Sequence, residues 1–137
     1  MEKITVTITI AKPVHEVFEY FTSAEHITKW NFAHESWECP SAETDLKEGG
    51  KFNYKMAAKD GSFAFDYTGT FDKIIPNELI EYHLDDQRKV QVKFSKTDDN
   101  RTEVTEIFDP ESQSPAEMQM QGWQAILDNF KKYSEQQ

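Results

Sequence analysis

The sequence predicts an α+β domain in which a curved antiparallel sheet wraps around one long C-terminal helix. Residues 114–133 carry apolar side chains at helical spacing, whereas residues 51–109 alternate apolar and polar side chains with a period of two. Strands joined by short turns pair in antiparallel fashion, and the apolar face of such a sheet needs a cover. Only the C-terminal helix is long enough to provide that cover. With 137 residues the chain makes one domain, residues 1–137.

The chain begins with one strand and two short helices. Isoleucine and valine alternate with threonine over residues 4–10, which predicts a half-buried strand. Pro13 suits the first position of a helix whose apolar residues keep i, i+3, i+4 spacing as far as Phe21. Ser23 can cap a second short helix that ends near Trp30.

Residues 31–46 show no periodicity and are predicted to form a loop. The segment is unusually aromatic for a surface loop. Loops of this length are often functional or packed onto another part of the protein. Gly49 and Gly50 then mark the change to strand structure.

Five consecutive strands follow, so that the predicted sheet has six strands in all. Their apolar positions run from Phe52 to Met56, Phe63 to Phe71, Ile80 to Leu84, Val90 to Phe94 and Thr102 to Phe108. Turn sequences that contain Asp, Asn, Gly or Pro separate them. Hairpins joined in this way make a curved meander, and the first strand can complete it at an edge.

The last helix has a clear start and one residue that does not fit its pattern. Ser114 offers an N-cap hydroxyl, Pro115 suits the first helical position, and Glu117 supplies a carboxylate in the first turn. The apolar stripe consists of Ala116, Met120, Trp123, Ile126, Leu127 and Phe130. Gln119 lies near the centre of this stripe. The helix is therefore either a core helix with one satisfied polar group or the wall of a polar-lined cavity. A sheet gripping one long helix in this way is a helix-grip fold.

Short motifs along almost the whole chain resemble one known family. The pattern I-x-x-P-x-x-x-V-F-x-x-F-T over residues 10–22 is similar to the opening signature of the START-like (SRPBCC) superfamily. Further matches are Trp30, Trp37-x-Cys39-Pro40, Asp45-Leu46, Gly49-Gly50, Tyr67-x-Gly69, Ile75-Pro76 with Glu78, Thr102-x-Val104-Thr105 with Phe108, and Gly122-Trp123 with Leu127. Together they resemble the family named after the C-terminal domain of the activator of the heat-shock protein 90 ATPase.

The resemblance implies a helix-grip fold with a cavity between the long helix and the sheet. Relatives in the superfamily carry lipids, sterols, plant hormones or polyketides in that cavity, and some cyclise polyketides. The resemblance implies no single function for the narrower family, and it leaves a contact with a chaperone open.

Glu106 is the polar residue that strand alternation places among apolar ones. If Val104 and Phe108 point into the concave face of the sheet, so does Glu106. A buried carboxylate is costly unless it is hydrogen-bonded, paired or neutral through a raised pKa. We therefore expect Glu106 and Gln119 to face one cavity and to orient a mostly apolar ligand, with Trp123 as an apolar wall. The alternative is a bulge that turns Glu106 towards solvent.

Further aromatic residues are candidates for the cavity and its rim. Trp30, His34 and Trp37 lie on the segment that borders the cavity mouth in a helix grip, where rings with a polar tip suit a rim. The two tryptophans could instead pin this segment to the core. Tyr54 and Tyr67 lie on apolar strand faces and could direct hydroxyl groups into the same space, although Tyr67 could also pack in the core.

The composition and the motifs exclude several classes of function. A formal net charge of -10 opposes binding to nucleic acid or to anionic membranes, which require clustered Lys and Arg. No apolar run approaches the ~20 residues of a membrane span. The single cysteine, Cys39, allows no intramolecular disulfide and fits a reducing cytoplasm. Because no metal-ligand spacing, phosphate-binding loop or nucleophile elbow is present, we predict no metal, cofactor or catalytic residue.

Three functions remain open for a cytoplasmic monomer of this kind. The first is a binding protein that holds an apolar or aromatic small molecule, lipid-, flavonoid- or polyketide-like, without turnover. The second is an enzyme of the cyclase or hydratase kind that uses Glu106 as a general acid or base. The third is a stand-alone interaction module similar to a co-chaperone.

Overall fold

A computed structural model of the chain describes residues 2–137, which form seven strands and three helices. In chain order the elements are β1 (Ile4–Ile10), α1 (Val14–Thr22), α2 (Ala24–Trp30), β2 (Trp37–Thr44), β3 (Lys51–Ala58), β4 (Ala64–Ile75), β5 (Leu79–Leu84), β6 (Lys89–Asp98), β7 (Arg101–Phe108) and α3 (Ala116–Glu135). The architecture is the predicted helix grip, a curled antiparallel sheet with two short helices after the first strand and one long C-terminal helix.

One antiparallel sheet contains all the strands in the order β1-β7-β6-β5-β4-β3-β2. From β2 to β7 each strand pairs with the next one in the chain, and β1 closes the far edge against β7. The meander predicted from the period of two is therefore confirmed, including the position of the first strand at an edge.

The prediction of six strands is wrong by one, because β2 lies within the segment predicted to be a loop. This strand pairs with β3 from Trp37 opposite Ala58 to Thr44 opposite Phe52, with a register shift between Glu38 and Ser41. A bulge lets two residues oppose one and shifts the alternation of side chains by one position. The period of two is consequently lost from the sequence of β2, although the strand itself forms.

The core lies where α3 packs on β1 and meets α1 and α2. Leu127 and Phe130 of α3 are fully buried there, as are Val92 of β6 and Val104 of β7. The ring of Phe130 meets that of Trp30 edge-on, with 4.7 Å between the ring centroids. Branched aliphatic and aromatic side chains thus fill this part of the interior.

The start of α3 differs from the prediction by one residue. Pro115 has extended backbone angles and occupies the cap position, so that the helix begins at Ala116. No side chain caps the first turn at this position, and the hydroxyl of Ser114 therefore does not serve as the predicted N-cap. Within residues 2–137, none of the helices is long and apolar enough to cross a bilayer.

Candidate functional site

A cavity of about 270 Å³ lies between the sheet and the first half of α3. Its wall is built from the inward-facing residues of β3, β4, β5 and β7, from the ends of α1 and α2, and from α3. The lining residues are Phe21, Thr22, Trp30, Asn31, Leu46, Tyr54, Met56, Phe65, Tyr67, Phe71, Ile80, Tyr82, Arg88, Glu106, Trp123 and Ile126. The wall is mainly apolar and aromatic, with few polar groups.

The sheet side of the cavity is a cluster of rings that pack on one another. The ring centroid of Phe52 lies 4.8 Å from that of Tyr54, 5.2 Å from that of Phe71 and 5.0 Å from that of Tyr82. Gly69 makes this cluster possible, because a Cβ atom at this position would lie 2.7 Å from the Phe52 ring. Ring–ring contacts along the sheet hold these aromatic side chains in place independently of any contact with α3.

Glu106 supplies a carboxyl group to the cavity wall. The residue is only 6% exposed and stands on β7 between Val6 of β1 and Val92 of β6. Burial raises the pKa of Glu106 to about 8, and no partner within the described chain opposes this shift. At neutral pH the carboxyl group of Glu106 therefore mostly retains its proton.

Two tyrosines form the second polar group of the cavity. The hydroxyl oxygens of Tyr67 and Tyr82 are 3.0 Å apart, so that one hydroxyl donates a hydrogen bond to the other. Burial raises the pKa of both tyrosines, and the nearby Glu106 carboxylate raises them further. Both hydroxyl groups are consequently neutral throughout the physiological pH range.

Arg88 is the single Lys or Arg residue among those that line the cavity. It lies in the turn between β5 and β6, where its Nε donates a hydrogen bond to Oδ2 of Asp86 over 2.7 Å. The backbone N–H of Arg88 also donates to Oδ1 of the same aspartate, at 3.2 Å. Asp86 therefore pairs with the guanidinium group and positions it at one end of the cavity.

Two tryptophans provide the helical side of the cavity. The Trp123 ring of α3 stacks on Phe108 of β7, with centroids 3.8 Å apart and an angle of 10° between the planes. Trp30 at the end of α2 donates a hydrogen bond from its indole Nε1 to the backbone oxygen of Tyr20 over 2.9 Å. These contacts fix both indole rings.

Exposed apolar side chains border the cavity on its solvent side. Leu46 and Phe65 line the cavity and are 39% and 46% exposed. Phe63, 52% exposed, lies beside Phe65 with 6.0 Å between the ring centroids. An apolar molecule would therefore meet apolar surface before it enters the cavity.

The structure brings together part of the set of residues that the sequence predicts. Five of the predicted residues lie in the cavity wall: Trp30, Tyr54, Tyr67, Glu106 and Trp123. The other predicted residues, His34, Trp37 and Gln119, do not line the cavity.

Gln119 does not meet Glu106, and the expected polar pair between them is not formed. The side-chain oxygen of Gln119 accepts a hydrogen bond from the backbone N–H of Glu111 at 2.9 Å. Its amide nitrogen donates to the backbone oxygens of Glu111 and Ser114 at 3.0 and 2.8 Å. The amide in the apolar stripe thus ties the preceding loop to the start of α3, a local contact that helical spacing alone does not reveal.

His34 lies in the turn before β2, and Trp37, the first residue of β2, packs at the solvent side of the cavity without lining it. The Nδ1 atom of His34 lies 2.9 Å from the hydroxyl oxygen of Ser36, within one turn. Trp37 packs its ring against those of Phe63 and Phe65, at 6.1 Å from each. The pairing of β2 with β3 directs Trp37 to this position.

Several lining residues were not predicted, and they differ in whether the sequence carries a signal for them. Tyr82 and Phe71 share the strand phase of inward-facing neighbours, so alternation could have found them. Ile126 belongs to the apolar stripe of α3. Arg88 lies in a turn, where no periodicity indicates the direction of a side chain.

Metal binding and thiol chemistry receive no support from the described residues. Among residues 2–137 no three His, Cys, Asp or Glu side chains are grouped so that they could hold a metal ion. Burial raises the pKa of the Cys39 thiol to about 11, so that the reactive thiolate is scarce at neutral pH.

Comparisons with known proteins agree on one family. The family model described as "Activator of Hsp90 ATPase homolog 1-like protein" matches residues 11–135. The solution structure of an AHSA1-like protein from Aeromonas hydrophila is similar over 97% of this chain and 93% of its own, with 37% identity and a TM-score of 0.87. A protein from Cytophaga hutchinsonii is 47% identical, with 98% of this chain and 92% of its own covered and a TM-score of 0.84.

A more distantly related structure is similar to this chain in its fold alone. A crystal structure of a protein from Nitrosomonas europaea has a TM-score of 0.84 at 18% identity, over 98% of this chain and 95% of its own. No curated protein matches this chain.

Proposed function

Because the chain belongs to the family of Activator of Hsp90 ATPase homolog 1-like proteins, we propose that it binds an apolar or aromatic small molecule between α3 and the sheet. The observation that carries this proposal is the cavity of about 270 Å³ with its aromatic wall and buried carboxyl group. Binding sites for small molecules are concave and mostly apolar, with a few polar groups that fix the orientation of the ligand. In this proposal the protein holds its ligand without turnover.

The volume of the cavity favours a compact ligand. Sites for drug-sized molecules usually measure about 300–1,000 Å³, and this cavity of about 270 Å³ lies just below that range. Of the lipid-, flavonoid- and polyketide-like classes, compact aromatic compounds suit it better than long acyl chains. The exposed Leu46, Phe63 and Phe65 support entry from that side.

The polar groups support an oriented mode of binding. Glu106 and the pair of Tyr67 and Tyr82 lie on the sheet side, whereas Trp123 and Ile126 present apolar surface from α3. A ligand with one polar and one apolar side would satisfy both walls. The proposal also retains the expectation from the sequence that the protein is a cytoplasmic monomer. Analytical ultracentrifugation would measure its mass in solution.

The three tryptophans of the chain provide a direct test. Trp30 and Trp123 line the cavity, whereas Trp37 packs on Phe63 and Phe65 at its solvent side, so that their indole N–H signals in NMR spectra report on the inside and on the mouth separately. A panel of a flavonoid, a naphthol and a medium-chain fatty acid should shift the signals of Trp30 and Trp123 more than that of Trp37. Absence of any shift at Trp30, Trp123 and Glu106 across the panel would overturn the proposal.

A matched pair of variants on α3 serves as the control. Ile126→Phe adds volume inside the cavity and should weaken binding at least 10-fold, because it occupies the space of the ligand. Met120→Phe adds a ring to an exposed position of the same helix and should leave the affinity unchanged. Equal affinity in both variants would place the ligand outside the cavity.

The buried carboxyl group favours an enzyme as the second candidate. A carboxyl group with a pKa of about 8 in an apolar site can donate a proton at neutral pH, as a cyclase or hydratase requires. In that case, a bound compound incubated with the protein would change in mass or in covalent structure, and Glu106→Gln would abolish the change. Recovery of every bound compound unaltered, measured by chromatography and mass spectrometry, would contradict the enzyme and leave the binding proposal in place.

A further inference from the structure

The charge on the ligand can be inferred from the surroundings of Glu106. Its carboxyl group is more than nine-tenths buried and belongs to the wall of the cavity. Within residues 2–137 it has no basic partner and no hydrogen-bond donor. A buried carboxyl group without a partner is costly, and it persists in a binding site when the ligand supplies the missing partner.

None of the side chains that face Glu106 from the surrounding elements is paired with its carboxyl group, so the ligand can be its partner. One hydrogen bond joins the hydroxyl groups of Tyr67 of β4 and Tyr82 of β5, and neither hydroxyl group is hydrogen-bonded to Glu106. Tyr54 of β3 adds a further ring. Arg88 beyond β5 is already paired with Asp86. The neighbours on β1 and β6 are valines, and α1, α2 and α3 contribute no charged residue to the lining.

An organic cation is the group that satisfies these surroundings. A carboxylate attracts an ammonium group, and the faces of tyrosine and tryptophan rings attract the same group through their negative π-surface. An anion would be repelled by Glu106 once its carboxyl group is ionised, and the one guanidinium group in the lining is paired with Asp86. The net charge of -10 also draws cations towards this protein.

We propose that the ligand of this cavity is an organic cation, an ammonium group on an apolar or aromatic body, with the ammonium group against Glu106. The inference rests on the binding function proposed above and names the class of ligand. The apolar body then lies against Trp123 and Ile126 of α3, a helix that adds no charged residue to the lining.

This arrangement makes the affinity depend on pH in a defined direction. An ammonium group pairs with the ionised carboxylate, which is a minor form at pH 7 because burial raises the pKa of Glu106 to about 8. A quaternary ammonium compound has no proton of its own to lose, so its affinity should rise about 10-fold between pH 7 and pH 9. The tyrosines stay neutral over this range, since burial raises the pKa of Tyr54, Tyr67 and Tyr82.

The test compares two compounds of nearly the same shape on the full chain. Benzyltrimethylammonium carries the cationic nitrogen, and neopentylbenzene has a neutral carbon atom in its place. The dissociation constants, measured by NMR titration at pH 7 and pH 9, should favour the cation at pH 9 by at least 10-fold. Tighter binding of the neutral compound at both pH values would overturn the proposed cation and leave the binding function intact. Failure of both compounds and of the neutral panel would overturn both proposals.

Two variants of β7 assign the effect to Glu106. Glu106→Gln keeps the size of the side chain and removes its charge, so it should lose the pH dependence and at least 10-fold in cation affinity at pH 9. Binding of neopentylbenzene to the same variant shows that the cavity is still formed. Glu103→Gln makes the same change at an exposed position of β7 and should alter neither quantity. Unchanged cation affinity in Glu106→Gln would refute the inference.

Discussion

The two sides of the interior differ in how their aromatic rings are directed and in how they are filled. The packed side lies under the second half of α3, where Leu127 and Phe130 are fully buried and belong to the same core cluster as Val92 of β6 and Val104 of β7. The cavity side lies under the first half of the same helix, where Trp123 and Ile126 face the rings of β3, β4 and β5. One apolar stripe of one helix therefore serves both as core and as the wall of a cavity.

The direction in which the aromatic rings pack explains the difference. On the packed side, Phe130 of α3 packs against the rings of Phe21 and Trp30 and so fills the space between the helices. On the cavity side, the ring of Phe52 packs against Tyr54 and Tyr82 along the surface of the sheet. Rings that pack on their neighbours in the sheet do not extend across to α3. The curvature of the sheet then leaves space in front of them.

The largest expected effect tests whether the packed side carries the stability of the fold. Phe130→Ala should lower the free energy of unfolding by about 3–5 kcal/mol, because it removes a fully buried ring and leaves a void. Urea unfolding at neutral pH measures this change. The exposed Met120→Ala should change the same quantity by no more than about 0.5 kcal/mol. Similar losses in the two variants would contradict the assignment of the core.

The next prediction concerns the carboxyl group at the border of the two sides. The pKa of Glu106 is raised from 4.5 to about 8 on folding, so the unfolded chain binds fewer protons at this residue between these values. Stability associated with Glu106 is therefore complete below pH 4.5 and is lost as the pH rises towards 8. The free energy of unfolding of Glu106→Gln should therefore rise relative to that of the parent chain by up to about 1.4 kcal/mol per pH unit in this window.

Urea unfolding of both proteins at several pH values between about 5 and 9 checks this second prediction, since the gain should level off above the folded pKa. Glu103→Gln on the exposed face of β7 is the control and should follow the parent chain. A gap between Glu106→Gln and the parent that does not change with pH would mean that the carboxyl group is ionised in the folded protein at all of these values.

A third prediction compares the same gain in volume on the two sides. Leu127→Phe inserts a ring into the packed side and should cost about 1–3 kcal/mol in the free energy of unfolding. Ile126→Phe directs its ring towards the cavity and should cost less than about 1 kcal/mol, because space is available there. Equal costs in thermal or urea unfolding would show that the cavity side is as tightly packed as the core.

The smallest expected effect removes one hydroxyl group from the aromatic cluster. Tyr82→Phe keeps the ring contacts with Phe52 and Phe71 and deletes the hydrogen bond to Tyr67. The free energy of unfolding should fall by about 0.5–1.5 kcal/mol, the net contribution of one hydrogen bond. Thermal unfolding measures the loss. A loss above the cost of Phe130→Ala would contradict the view that ring contacts hold the cavity wall.

Prediction from the sequence succeeded where a long periodic pattern was present. The strands from β3 to β7 and the helix α3 were recognisable because each keeps its period over many residues. The strand β2 was missed because the bulge between Glu38 and Ser41 interrupts its period. In the candidate site, Tyr54 and Tyr67 could be named from strand phase, whereas Arg88 in a turn could not.

The sequence by itself determined the order of the elements and the face on which each side chain lies. The phase of β7 groups Glu106 with Val104 and Phe108, because successive residues of a strand point to opposite faces. Only the tertiary structure decided what each inward-facing group meets. Gln119 lies on the same apolar stripe as Trp123, yet it bonds to the backbone of Glu111, whereas Glu106 is left facing a cavity. Periodicity is a local property, whereas the distance across an interior depends on the curvature of the sheet and on the volumes of all the side chains between.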